Sequence, residues 1–252
     1  MTETIAIIPA RSGSKSVKDK NLANLCGYPL IAYSIVAAKL STVVERVVVS
    51  TDSDDYKQVS EYFGAEVPFL RPQKFAQDNS TDRGFLLHAM EWMKEMEGNV
   101  PEYWVHLRPT TPLREPVLID NAVEKIRAER RATSLRSGHK SPENPLKWFT
   151  KDTHSFYQPI LKDDGSERYN QPKEAFPQVY VPNGYVDVVL ASQIMRSETT
   201  HGNQILSFDT PVSCEVDSPD ELDYLRYQLQ KDGSVLLTYL KENFPIYYKE
   251  QN

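Results

Sequence analysis

Only two of the 252 residues are cysteine, Cys26 and Cys214, which excludes a disulfide-stapled scaffold and leaves two thiols expected to be buried and reduced. Glycine is scarce too, ten in all. No stretch carries the three spaced glycines of a dinucleotide fingerprint or the glycines and Lys-Ser/Thr of a Walker loop. No apolar run approaches the length of a membrane span, and residues 5–8 are too short, and too soon broken by Pro9, to read as a secretory leader. Positive charge is in deficit: 29 Lys and Arg against 35 Asp and Glu give −6, so the broad basic face required by nucleic acid or an anionic membrane is missing. The five histidines, at 88, 106, 139, 154 and 201, show no metal-ligand spacing. What is left is an α/β-sized chain expected in the cytosol, without nucleic-acid or membrane partners.

What is present begins at the amino-terminal end. Residues 5–21 run from an apolar strand into a loop carrying Arg11, Lys15, Lys18 and Lys20 among small residues. Ser12, Gly13 and Ser14 let backbone approach an anion and supply N–H and hydroxyl donors, while the cations neutralise its charge. Such a loop suits a nucleoside triphosphate. A solvated basic turn is the bland alternative. A Ser-x-x-Lys pair at Ser12 and Lys15 also occurs, but the Ser-Asp-Asn and Lys-Thr-Gly elements that accompany an activated serine are absent.

Short β-rich runs alternate with helical patterns through the first half, as in βαβ units of a mainly parallel sheet. Strands are expected at 4–8, 46–50, 66–70, 103–107, 185–190 and 205–208. Helices are expected after Pro29, after Ser53 as N-cap and up to Gly64, over 81–96, from Pro116 and from Asp220. The alternation breaks over residues 137–182, which are rich in Pro, Lys, Asn and aromatics. That composition reads as an inserted arm packing on another body, with a second subunit as the candidate.

Ligands of open α/β sheets sit outside the carboxyl ends of the strands. The rule gathers residues 11–21, Thr51 to Ser53, Arg71 and Pro72, residues 108–114, Asn183 and Gly184, and the acids Glu215 and Asp217. Cations, polar strand ends and an acidic pair converging on one crevice form a pattern for a nucleotide with a metal.

In this order and spacing, the clusters resemble the CMP-sialic acid synthetase family, the cytidylyltransferases that activate nonulosonic acids. The leading motif stands as residues 8–15 with Lys20 and Asn21, the second as residues 49–52, and the third as Arg71-Pro72 with Asp78 downstream. The fourth is residues 107–114 and the fifth residues 182–184. The resemblance spans roughly residues 4–230. It implies a single Rossmann-like, mononucleotide-binding α/β domain over residues 1–252, of the nucleotide-diphospho-sugar transferase type, with a dimerisation arm at about 137–182 in a homodimer. It further implies transfer of CMP from CTP to the anomeric hydroxyl of a nonulosonic acid of the sialic, legionaminic or pseudaminic type, with Mg²⁺ and release of pyrophosphate. On the same resemblance Arg11, Lys15 and Lys20 act at the reacting triphosphate, and Ala10, Arg11, Ser14, Asn21 and Arg71 bind the nucleotide. Arg108, Thr110, Lys147, Lys173, Asn183 and Asp187 bind the acceptor, and Glu215 and Asp217 hold the metal. Among the remaining cations, Arg114 and Arg136 are candidates for the acceptor carboxylate, and for these as for Lys147 and Lys173 a solvated surface charge is the alternative.

Three positions depart from the family pattern. Thr110 and Thr111 stand where Kdo-activating relatives carry a metal-binding Asp, so metal binding leans on Glu215 and Asp217, whose spacing on a strand would put both carboxylates on one face. Capping of the following helix is the alternative for that pair. Arg108 stands where sialate enzymes usually have Gln, a change expected to favour a bacterial nonulosonate over Neu5Ac. Asp82 stands where a second small hydroxyl residue is common. The competing functions are a nucleotidyltransferase for Kdo or a sugar 1-phosphate, and a catalytically silent sugar-nucleotide-binding protein.

Overall fold

The computed structural model describes residues 3–14, 19–162 and 164–248. In chain order the strands are β1 (Thr4–Pro9), β2 (Asn24–Leu25), β3 (Tyr28–Pro29), β4 (Arg46–Ser50), β5 (Tyr103–His106), β6 (Ser134–Lys140), β7 (Phe149–Lys151), β8 (Tyr157–Pro159), β9 (Tyr180–Leu190) and β10 (Ile205–Asp209). The α-helices are α1 (Leu30–Leu40), α2 (Asp54–Tyr62), α3 (Asp82–Met96), α4 (Pro116–Ala128), α5 (Ala191–Arg196), α6 (Pro219–Asp232) and α7 (Val235–Asn243).

Six strands form one sheet in the order β10-β6-β9-β5-β1-β4. Only β9 runs against the rest, antiparallel to both β5 and β6, while β1 pairs parallel with β4 and β5 and β10 pairs parallel with β6. Residues 5–8 and 47–49 are buried without alternation, because helices cover both faces. Ala6, Ile8, Val49, Val105 and Val188 pack under α1, α2, α4, α6 and α7. Ile5, Ile7, Val48, Trp104 and Val189 pack under α3 and α5. Helix α1 is buried at every position from Leu30 to Ala38, consistent with a sequence apolar all round. Its polar groups are satisfied: Tyr33 Oη donates to the Leu25 carbonyl at 2.7 Å, and Ser34 Oγ accepts from Arg114 at 2.7 Å. Each large aliphatic side chain buried this way contributes about 1.5–3 kcal/mol.

Several expectations are corrected here. Residues 66–70 make two isolated parallel bridges, Val48 to Glu66 and Thr51 to Leu70, rather than a strand. Strand β9 runs from Tyr180 to Leu190 in one piece, so the strand expected at 185–190 is continuous with the residues before it. Strand β6 and helix α7 were not anticipated. Residues 137–140 and 180–182 belong to the β6–β9 ladder past a bulge between Arg136 and Gly138, so the arm proper projects between those strands. It carries the β7–β8 hairpin and exposes Trp148, Phe149, Phe156, Tyr157 and Ile160. Cys26 and Cys214 are half-buried rather than buried, and burial pushes both thiols up. Among the described residues no helix is long and apolar enough to cross a membrane.

Candidate active site

Strand β1 lies between β4 and β5, so the chain after β1, β4 and β5 meets outside their carboxyl ends. The β1 loop is tied there by its backbone and by short polar side chains. Ala10 N donates to the Ser50 carbonyl at 2.9 Å, and Asp52 accepts from Ser12 N at 2.7 Å and Ser12 Oγ at 3.0 Å. Gly13 takes φ +69°, a left-handed conformation that costs glycine little. Asn21, nearly buried, donates to the Arg11 carbonyl at 3.3 Å and closes the loop on itself. Ser14 is half-buried. Lys15 and Lys18 lie outside the described residues.

The loop's cations meet carboxylates from distant parts of the chain. Arg11 NH2 is 2.9 Å from Asp78 Oδ1, and Lys20 Nζ donates to Asp217 Oδ1 at 2.7 Å. The acids of these pairs are exposed, at 47% and 67% of their side-chain surface.

A cavity of about 200 Å³ opens beside the loop, lined by Arg11, Asn21, Arg71, Ser80, Thr81, Asp82, Phe85, Arg108 and Thr110 among others. Arg71 forms its base: Nε donates to Ser50 Oγ at 3.0 Å, NH2 to the Ser50 carbonyl at 2.5 Å, and the guanidinium carbon stands 4.8 Å from the Phe85 ring centre. Burial lowers the Arg71 pKa to about 10, so it remains a cation at neutral pH. A larger groove of about 970 Å³ near Cys26, Arg226 and Ile246 has no comparable gathering of cations, and its Arg226 donates to the Asn24 carbonyl at 2.7 Å.

Glu215 and Asp217 are not on a strand. They lie in irregular chain before α6, fixed by Val216 N donating to the Thr110 carbonyl at 2.8 Å. Thr110 Oγ1 donates to Glu215 Oε1 at 2.9 Å, which ties Glu215 to a residue of the cavity wall, while Lys20 ties Asp217 to the end of the β1 loop. Capping of α6 is done by Ser218 and Glu221 in a reciprocal capping box, which leaves Glu215 and Asp217 out of that task. Among the described residues no group of three or more His, Cys, Asp or Glu side chains could hold a metal. The two exposed carboxylates, one tied to Thr110 and one to Lys20, are of the oxygen-ligand type that suits a hard divalent cation keeping most of its water.

On the far side of the cavity charges interlock, with Asp187 and His106 buried and Asp82 part-exposed. Arg108 NH1 donates to Asp187 Oδ2 and NH2 to Asp82 Oδ2, both at 2.9 Å. Burial opposes the charge on Arg108, but Asp187 and Asp82 outweigh it and raise its pKa. Burial would raise the Asp82 carboxyl, yet His106 and Arg108 hold it below its ordinary value. His106 is buried, and burial with Arg108 beside it lowers its pKa to about 4. Gly184, at φ +62°, allows this packing: a Cβ there would stand 3.3 Å from Arg108 Cδ and from Thr111 Oγ1.

The expected acceptor residues fall in different places. Arg108 and Thr110 line the cavity. Asp187 is 1% exposed and bound to Arg108. Asn183 is buried, with Nδ2 donating to Thr210 Oγ1 at 2.8 Å and the Pro211 carbonyl at 3.2 Å. Lys147 and Lys173 are in the arm: Lys147 Nζ donates to the Gln171 carbonyl at 2.6 Å, and Lys173 lines a separate cavity of about 180 Å³. Arg114 is buried, and its nitrogens donate to Tyr185 O, Ser34 Oγ and Arg108 O at 2.7–2.9 Å.

A cytidylyltransferase profile matches residues 5–214. The chain belongs to the cytidylyltransferase family. It is 30% identical over 228 residues to the N-acylneuraminate cytidylyltransferase of Escherichia coli, an alignment covering 88% of this chain and 51% of that protein. It is 41% identical over 120 residues to the CMP-N,N'-diacetyllegionaminic acid synthase of Legionella pneumophila, covering 48% of this chain and 51% of that one. The chain spans about half the length of these curated relatives. A solved structure of CMP:2-keto-3-deoxy-manno-octonic acid synthetase complexed with CTP shares the fold, with TM-score 0.67 at 17% identity over 91% of this chain and 99% of that one. The mainly parallel α/β sheet of this chain is thus the fold of that synthetase.

Ser80 and Phe85, which no motif singles out, also line the cavity. Phe85 is a core residue, 3% exposed, that also supports Arg71. The signal was available in the helix phase: α3 starts at the carboxyl edge of the sheet, so its first turn faces the crevice.

Proposed function

We propose that the protein transfers CMP from CTP to the anomeric hydroxyl of a nonulosonic acid and releases pyrophosphate. The reading is supported by the gathering of Arg11, Asn21, Arg71 and Thr110 around one cavity, with Glu215 bound to Thr110 and Asp217 bound to Lys20. In the reaction the anomeric oxygen bonds to the α-phosphorus as the bond to the bridging oxygen of the pyrophosphate breaks, and the hydroxyl proton is lost. Charge grows on the α-phosphoryl oxygens and the leaving group, so fixed cations there stabilise the transition state more than the ground state. Arg11, Lys15 and Lys20 supply those charges, while Ala10, Ser14 and Asn21 shape the loop around the nucleotide. Glu215 and Asp217 would hold Mg²⁺, whose charge would offset that of the phosphates. Lys20 and Thr110, now bound to the two acids, then turn to the substrates.

The acceptor class is supported by the relatives that act on acylneuraminate and diacetyllegionaminate. We place the enzyme in the cytosol as a homodimer, with the arm's exposed aromatic face packing on a second copy and bringing Lys147 and Lys173 to its site. The test is pyrophosphate release from CTP with Neu5Ac, legionaminate, pseudaminate and Kdo, with and without Mg²⁺. Release with a nonulosonic acid is expected. Tight CTP binding without release from any sugar would establish a silent binding protein instead, and release with Kdo alone would move the enzyme to that branch.

A further inference from the structure

We propose that Arg136 anchors the carboxylate of the acceptor, an inference that rests on the nonulosonic-acid reading above. The ladder registers set His106, Asp187 and Arg136 side by side on one rung across β5, β9 and β6. His106 and Asp187 are buried, while Arg136, the last charge of the row before Ser207 of β10, keeps 34% of its side chain exposed. The same rung adjoins the cavity wall, because Arg108 reaches from the cavity to Asp187.

Arg136 is a cation with an unmet donor among the described residues. Its Nε is buried and has no hydrogen-bond partner among the described residues, a costly arrangement for a desolvated donor. The neighbouring acid does not satisfy it: Asp187 Oδ2 lies 3.7 Å from that Nε and already accepts from Arg108 at 2.9 Å, while Oδ1 accepts from Ser137 N at 3.3 Å. The bulge that begins at Arg136 breaks the regular alternation of β6 there, a device that re-aims side chains beside sites. Other cations near the crevice are engaged. Arg108 sits between two carboxylates, and all of the Arg114 donor nitrogens bind protein oxygens.

A guanidinium with free donors matches a planar carboxylate in a two-point contact. A phosphate of CTP would offer the same chemistry, but β6 is three strands from β1, about 14 Å at ordinary strand spacing, which puts Arg136 away from the triphosphate loop and on the acceptor side.

The experiment compares parent, Arg136→Gln and Arg136→Lys in acceptor KM by pyrophosphate release and in CTP Kd by calorimetry without acceptor. Arg136→Gln is expected to raise acceptor KM about 10- to 100-fold, with CTP Kd within about twofold, and Arg136→Lys to recover part of the loss. Unchanged CTP binding also shows that the variants fold. The second arm replaces the sugar acid by its carboxamide: the parent's preference for the acid should collapse in Arg136→Gln. An unchanged acceptor KM, an equal loss on acid and carboxamide, or a CTP Kd that moves in step would each overturn the assignment. Parent turnover is the separate control. A parent that releases no pyrophosphate with any nonulosonic acid sinks the activity, whereas an active parent with an indifferent Arg136→Gln sinks this inference alone.

Discussion

The loop after β1 and the charged row across β5, β9 and β6 share one edge of one sheet, yet they pair their charges in opposite ways. In the loop, Arg11 and Lys20 meet carboxylates that are largely open to water. In the row, Asp187 is sealed at 1% exposure beneath Arg108. Water-exposed pairs contribute only about 0–1 kcal/mol, so a triphosphate or a metal can replace such partners at little cost. Buried pairs are costly to break because the remaining charge has lost its water. The first region is therefore suited to exchanging partners during turnover, and the second to holding a wall in place.

The largest effect expected from this contrast is on stability. Asp187→Asn removes the charge that faces both Arg108 and Arg136 and should destabilise the fold by about 3 kcal/mol, lowering Tm by roughly 6–12 °C for a chain of this size. Thermal unfolding followed by circular dichroism measures it. A variant with the parent's Tm would show that the row is not a structural clamp.

The loop should respond the other way. Lys20→Ala and Arg11→Ala are each expected to lower kcat/KM for CTP about 10²-fold, from loss of a charge-assisted contact of about 2–3 kcal/mol, while Tm stays within a degree or two of the parent. Asp217→Asn should remove most Mg²⁺-dependent turnover and leave metal-free nucleotide binding largely intact, since an amide is a poor ligand for a hard cation. Turnover near the parent's in all three would dissociate the loop and the acidic pair from the chemistry.

Protonation tests the row from a third side. His106, faced by Asp82, Arg108, Asp187 and His201, is held neutral by burial, its pKa lowered to about 4 from an unfolded value near 6.5. The unfolded chain therefore binds the proton more readily, so stability is fully present above about pH 6.5 and falls as pH drops toward 4. A loss of about 2 kcal/mol by pH 5 follows. Denaturant midpoints at pH 8 and pH 5 should show it, and His106→Gln should flatten that part of the profile. An identical pH dependence in the variant would assign the acid sensitivity to other groups.

The same contrast explains what could be read from the chain. The loop, β1, β4 and α1 are local: an apolar run, a turn and a helix start stand next to one another, so motif and periodicity located them to within a residue or two. The row could not be read that way, because β6 is Ser-Leu-Arg-Ser-Gly-His-Lys, with little apolar signal. Its Ser134 and Ser137 are buried because β9 and β10 pass on either side. The reversed direction of β9 has no sequence signature at all. Reading Glu215 and Asp217 as a strand failed for a related reason: a tertiary hydrogen bond from Val216 to Thr110, rather than a ladder, fixes that segment.

The smallest effect concerns Arg108. Standing where sialate enzymes usually carry Gln, it reads from sequence as a selector of the acceptor, worth tenfold or more in preference. In the folded protein it lines the cavity, but both terminal nitrogens are bound to Asp82 and Asp187, so its charge is already neutralised and its donors are turned to the wall. Arg108→Gln should then alter acceptor choice only through the position of Asp82, and the ratio of kcat/KM for legionaminate over Neu5Ac should move by less than about tenfold, near 1 kcal/mol. CTP affinity should barely change. If the ratio moves a hundredfold instead, the guanidinium must leave at least one carboxylate to meet the sugar, and the row would be as exchangeable as the loop.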